Sequence, residues 1–320
     1  MALVQHSPVF LNLAASIDKA EKLIRTAVSN KAEVVVFPET WLPGYPVWLD
    51  NAEKAALWDH TGAKALFRLL FKNSLEIGSP LFLRMEQMAN ETGIVLVMGC
   101  HERDGNTLYN TMIFFPGNGG VVQIHRKLMP TYNEKLIWGQ GDGSTLSTME
   151  SKGIVIGGLI CWEHWMPLAR AAMHAQTEHI HVAQWPSVIE LHQVASRHYA
   201  FEGNCFVLAC GSVMLKQDVM QGFDSLNADE PEARQMLDTI AVKGDHTFMS
   251  GGSCVIGPDA QFVTPPLFNE ETIVYADLDL ESIYGSNLVM DTDGHYARPD
   301  VFSLSVDTTP RQNVTFTKGK

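Results

Sequence analysis

Leu13, Ile17, Ala20, Ile24 and Ala27 recur at the spacing of one helical face, and the β-branched run Val34-Val-Val36 follows directly. That alternation continues along the chain. Helical spacing returns at about 62–73, 80–92, 163–176 and 189–202, while short apolar runs return at 94–97, 112–115, 121–124, 154–160, 179–183, 206–209, 253–256 and 273–275. Strands interleaved with helices bury their apolar faces only as sheets covered by helices, so the periodicity predicts an α/β fold of two or three layers. No internal repeat or low-complexity tract points to a solenoid or a disordered scaffold.

Three of these runs end in reactive side chains. Val34-Val-Val-Phe-Pro-Glu39 delivers a carboxylate, Val121-Val-Gln-Ile-His-Arg-Lys127 an ammonium, and Ile154-Val-Ile-Gly-Gly-Leu-Ile160 leads straight into Cys161. Open α/β folds bind ligands at the carboxyl ends of their strands, so the three groups are expected to converge. Cys161 also opens the helix-forming stretch 162–173, and a helix start is expected to favour thiolate and lower the thiol pKa. Taken singly, each residue has an ordinary explanation as an inert buried cysteine or a solvated strand terminus. Together they suit a nucleophile with a base and a cation beside it.

Composition narrows the setting. A net charge of −13 argues against nucleic acid, whose phosphates demand a basic surface. No apolar run approaches the length of a membrane helix, and the start Met1-Ala-Leu-Val-Gln-His lacks the marks of a signal peptide, so no membrane partner and a cytoplasmic residence are expected. Five cysteines without paired spacing point to a reducing compartment. Twelve histidines contain no HxxxH or HExxH pair, so no metal is expected; His179 and His181 merely alternate on a strand. The spread of Glu39, Lys127 and Cys161 predicts a single interleaved domain over 1–320. Two stretches stand apart from it: a helical addition near 50–80, and an acidic, strand-poor segment near 217–246 whose charge reads as a solvated loop.

Five blocks then carry a resemblance. Phe37-Pro-Glu-Thr-Trp-Leu-Pro-Gly-Tyr-Pro46, His125-Arg-Lys-Leu-Met-Pro-Thr-Tyr-Asn-Glu134, Trp138-Gly-Gln-Gly-Asp-Gly143, Cys161-Trp-Glu-His164 and Gly294-His-Tyr-Ala-Arg-Pro-Asp300 resemble the nitrilase branch of the carbon–nitrogen hydrolase superfamily. The resemblance implies an α-β-β-α sandwich with Glu39 as general base, Lys127 as catalytic lysine, Cys161 as nucleophile and Glu134 as the carboxylate that orients the lysine. It further implies that the backbone N–H of Trp162 steadies developing negative charge, that Tyr45 and Trp185 line the substrate pocket, that Glu163 orients its loop without being catalytic, and that His295 buttresses the pocket or a subunit contact. The implied partners are a small-molecule nitrile and further copies of the chain, in a homo-oligomer built on dimers and extending to a spiral, with the two added stretches at subunit contacts; no cofactor is implied.

Two departures bear on that assembly: the chain begins inside what should be the first strand, and it stops soon after Val306, which leaves filament length open. Other readings are a cyanide-converting or amide-hydrolysing relative, the latter disfavoured by Cys161-Trp-Glu163, and a non-catalytic filament or binding protein, disfavoured by retention of Glu39, Lys127, Glu134 and Cys161. Aliphatic, aromatic and arylacetonitrile side chains all stay open.

Overall fold

The computed structural model describes residues 1–241, 247–312 and 314. Its first sheet is built from β1 (Ala2–Gln5), β2 (Val34–Val36), β3 (Val95–Asp104), β4 (Thr107–Phe115) and β5 (Gln123–Arg126), parallel from β1 to β3 and antiparallel beyond. The second contains β6 (Met149–Ser151), β7 (Ile154–Ile160), β8 (Ile180–Gln184), β9 (Phe206–Cys210), β10 (Val213–Leu215), β11 (Thr247–Ile256) and β12 (Phe262–Phe268), with β7, β8 and β9 parallel. The late strand β13 (Thr272–Tyr275) returns to the first sheet, antiparallel to β1.

Period-two alternation decides which way each strand faces. Leu3, Val34, Val36, Val95, Val97, Met112 and Phe114 point inward and share one core with Ile156, Ile160, Val182 and Leu208 of the second sheet. Their neighbours Val4, Val35, Leu96, Met98, Ile113 and Phe115 point outward. Helices α1 (Leu13–Ser29), α2 (Trp48–Asn51), α3 (Thr61–Lys72) and α4 (Pro80–Thr92) follow in the first half, and α1 and α4 cover that outer face through Ile17, Ala20, Ile24, Met85 and Ala89. On the far side α5 (Pro167–His174) and α6 (Glu190–Gly203) bury Met173, Ala195 and Tyr199 against the second sheet. The layers therefore read helix, sheet, sheet, helix, the expected sandwich. Between the sheets Gln184 Nε2 donates to Phe37 O at 2.7 Å, joining the end of β8 to the end of β2. Among the described residues no helix is long and apolar enough to cross a membrane.

Three expectations need correction. The helix expected over 163–176 is broken: Cys161–Trp165 is a tight 3-10 turn, and α5 begins only at Pro167, whose fixed φ suits a first helical position. The fifth strand starts at Gln123 rather than Val121, which is exposed. The acidic stretch is not a solvated loop. It holds α7 (Lys216–Ser225) and α8 (Pro231–Thr239), which bury Val219, Phe223, Ala233, Met236 and Leu237 in a core shared with Ala65, Leu66, Leu69 and Leu70 of α3. Its acids stay outside, Glu230 paired with Arg68, and Asp224 and Asp238 with Arg234. Residues 242–246 of that stretch lie outside the described residues. A last helix, α9 (Glu281–Ser286), precedes a largely exposed segment, in which the backbone N–H of Arg311 donates to Asp142 Oδ2 at 2.7 Å.

Candidate active site

The three reactive strand ends meet. Beyond β2 the chain turns through Pro38 close against β3, and Gly99 makes this approach feasible: a Cβ there would sit 2.0 Å from Pro38 O. Glu39 follows, buried. Beyond β5 the backbone N–H of Lys127 donates to Asn110 O at 2.8 Å, holding the lysine at the sheet's edge with its ammonium turned inward. Lys127 Nζ then reaches Glu39 Oε1 at 2.9 Å and Glu134 Oε2 at 2.7 Å. Asn110 Nδ2 also donates to Glu39 Oε1, at 2.7 Å, while Glu39 Oε2 is buried with no hydrogen-bond partner among the described residues. Glu134 is held by the Thr131 N–H at 2.7 Å and by the Tyr45 hydroxyl at 3.2 Å. Cys161 closes the group from the second sheet, at a left-handed φ of 53° that an L residue keeps only when its surroundings fix it.

Electrostatics assign the protons. Burial alone would lower the Lys127 pKa, but Cys161 once it is a thiolate, together with the carboxylates of Glu39 and Glu134, outweighs it, so the lysine is held charged, well above its ordinary value. Burial raises the Glu134 carboxyl above its ordinary value, against the pull of Lys127. Cys161 departs from expectation. Burial pushes its thiol well above the ordinary value and the charge of Glu39 adds to this, while Lys127 and the Trp162 N–H pull the other way. A 3-10 turn of five residues offers too little dipole to offset removal of a thiolate from water. The resting sulfur is therefore a thiol that needs a base.

Glu163 ties the lysine and cysteine loops together. Fully buried, its carboxylate accepts from Ile160 N at 2.6 Å, from Leu128 N at 2.8 Å and from His125 Nε2 at 2.9 Å. Burial would raise its pKa, but His125 and these backbone donors bring it below the usual carboxylate value. Glu163→Ala strands one charged and two backbone donors, and is expected to cost about 3–5 kcal/mol of folding stability, as for breaking a buried ion pair. Urea unfolding would show this as a lower midpoint at unchanged slope.

A cavity of about 410 Å³ opens beside Tyr45, with Val47, Asp50, Ile189, His192 and Phe248 among its walls. Trp185 does not line it. Its ring is fully buried, stacked between His164 at 4.8 Å and His192 at 4.3 Å, and the next residues, Pro186 and Ser187, reach the cavity instead. The Trp162 side chain is half exposed while its N–H faces the sulfur. His295 is exposed, 3.4 Å from Asp291, so it does not buttress the pocket.

The profile of the carbon–nitrogen hydrolase family matches residues 1–286. An aliphatic nitrilase of Rhodococcus rhodochrous is 37% identical over 98% of this chain and 82% of its own length. A bifunctional nitrilase/nitrile hydratase of Lupinus angustifolius is also 37% identical, over 98% of this chain and 88% of its own. This chain is a carbon–nitrogen hydrolase of the nitrilase branch. The hydrolase shares its fold with Saccharomyces cerevisiae Nit3, at a TM-score of 0.63 and 19% identity over 92% of this chain and 95% of that one, and with the Caenorhabditis elegans NitFhit protein, at 0.66 and 15% over 98% and 68%.

Several supports of the hydrolase site were missed in the sequence. Asn110 is one, signalled only as a lone amide in strand β4, whose other polar side chains are two threonines and a tyrosine. His101 is another: burial drives its pKa down to about 3, so the ring is neutral, accepting from Trp138 Nε1 at 3.0 Å and donating to Gly44 O at 3.0 Å. That link fixes the loop that carries Tyr45.

Proposed function

We propose that this hydrolase converts nitriles to carboxylic acids and ammonia, with Cys161 as the nucleophile. The observation that carries the reading is a charged lysine held between two buried carboxylates beside a buried thiol. A nitrile carbon is a weak electrophile, so attack needs a strong soft nucleophile and a donor for the charge that develops on nitrogen. Glu39 takes the thiol proton, the sulfur bonds to the nitrile carbon, and the nitrogen, steadied by Lys127 and the Trp162 N–H, gains a proton to give a thioimidate. Glu39 then activates water. The tetrahedral adduct expels ammonia to leave a thioester, and a second water releases the acid and restores the thiol. Glu134 keeps Lys127 charged and in place throughout. Neither a metal nor an organic cofactor enters this scheme.

A minor amide product belongs to the same reading, because the tetrahedral adduct can expel the thiolate in place of ammonia. The Lupinus relative's name, which joins nitrilase to nitrile hydratase, supports it. The exposed Leu57 and Trp58 in the stretch near 50–80 support a subunit contact there, and we place the enzyme, as a homo-oligomer, in the cytoplasm. The decisive experiment measures ammonia release from aliphatic, aromatic and arylacetonitrile substrates, with the matching amides and cyanide as controls. Acid and ammonia from nitriles are expected. Turnover of amides or cyanide alone would move the enzyme to the corresponding relatives.

A further inference from the structure

A line of buried polar side chains leads from the nucleophile away from the catalytic carboxylates. His164 Nδ1 lies 2.7 Å from Cys161 O, His164 Nε2 lies 3.0 Å from His181 Nε2, and His181 Nδ1 lies 2.9 Å from Glu178 Oε1. The Tyr199 hydroxyl donates to Glu178 Oε2 at 2.5 Å. All of these side chains are buried, and Gly157 makes the room: a Cβ there would sit 1.8 Å from Glu178 Oε1.

Counting protons along this line gives a definite answer. A carbonyl only accepts, so His164 must donate from Nδ1, which leaves its Nε2 as an acceptor. His181 must then donate from Nε2, which leaves its Nδ1 as an acceptor facing Glu178. Three links need three protons, and two neutral imidazoles carry two. Burial drives the His164 pKa down to about 3 and that of His181 well below its ordinary value, so neither ring takes the third. Burial raises the Glu178 carboxyl to about 7, against the lesser pulls of Tyr199 and His174.

We propose that Glu178, as a neutral carboxylic acid acting through His181 and His164, positions the backbone of Cys161 for attack. This rests on the reading of Cys161 as nucleophile. Loss of the proton reverses every link: a carboxylate accepts from His181 Nδ1, both imidazoles switch tautomer, and the lone pair of His164 Nδ1 comes to face the Cys161 carbonyl, so an anchor becomes a repulsion. The strained backbone at Cys161 then loses its fixing bond. The groups facing Glu178 are His181 on β8, Tyr199 on α6, His174 on α5, itself 3.1 Å from Glu202, and the thiol of Cys205; Glu202 acts on Tyr199, and Glu163 and His125 act on His181 from the other end. Glu178 holds its proton at low pH and loses it as the pH rises through about 7, so the wild-type kcat is expected to fall on the alkaline side.

Glu178→Gln tests this. Its amide donates to His181 and accepts from Tyr199, reproducing the protonated acid in a form that does not titrate. The variant is expected to keep kcat within about threefold of wild type near neutrality and to hold it where the wild type declines, whereas Glu178→Ala should lose about tenfold to a hundredfold in kcat with KM little changed, the scale of a small misplacement of reacting groups. A glutamine variant as impaired as the alanine one, a glutamine variant with the wild-type alkaline limb, or an alanine variant with full kcat would each overturn the proposal. If the alanine variant does not fold, the glutamine profile decides alone. Mass spectrometry of quenched reactions separates this from the underlying reading: an acyl adduct on Cys161 upholds the nucleophile whatever the pH profiles show, and its absence in the wild type refutes the nucleophile itself.

Discussion

Cys161→Ala is expected to abolish ammonia release, and Cys161→Ser to retain almost none of it, with losses on the order of 10⁴–10⁶ in kcat as for other enzymes stripped of their nucleophile. The effect is large because the other cysteines are not equipped to stand in. Cys100, Cys205, Cys210 and Cys254 are all buried, burial pushes each thiol pKa upward, to about 12 for Cys254, and among the described residues none has beside it the lysine paired with carboxylates that Cys161 has. The fold should persist, since alanine at this site removes a single sulfur. Thermal unfolding near the wild-type temperature, together with loss of the acyl adduct, would establish that chemistry and not folding has failed. An alanine variant that still releases ammonia would end the covalent mechanism.

Lys127→Ala should lower kcat by about a hundred- to a thousandfold, the scale of losing one preorganised donor to developing charge. It also leaves Glu39 and Glu134 buried without their shared cation, so the variant should be less stable as well. Glu134→Ala is expected to act through the lysine. Once the ammonium is gone, removing Glu134 should cost little more, and the double variant should fall near Lys127→Ala alone. Losses that add in this double-mutant cycle would show that Glu134 has an independent role.

What could be read from the chain beforehand follows from how locally each feature is encoded. Glu39, Lys127 and Cys161 were legible because each stands at the end of an unmistakable strand, and the sandwich was legible because period-two runs alternate with helical ones. The helices α7 and α8 were obscured because their many acids drew attention from the apolar residues at every third or fourth position. The Cys161 thiol was misjudged for a deeper reason: a helix start can be read from sequence, whereas the depth of burial that overrides it emerges only from packing. Trp185 was expected to line the substrate pocket, yet its ring is fully buried, stacked between those of His164 and His192. The line from His164 to Glu178 and Tyr199 joins a turn, a strand, a loop and a helix, and no spacing rule links them.

Glu39 and Lys127 belong to one sheet and Cys161 to the other, with Gln184 spanning the gap to Phe37. The distances within this cluster are thus also a gauge of how the two halves of the sandwich lie across each other. A sideways slip too small to disturb unfolding would still part the Cys161 thiol from Glu39. Aliphatic residues buried at the seam, such as Val36 and Leu208, carry no reactive group, yet exchanging them for smaller ones should register first as slower turnover and only later as lost stability. Drift in the seam is then a route by which such an enzyme can retune its chemistry while the residues that touch the nitrile stay the same.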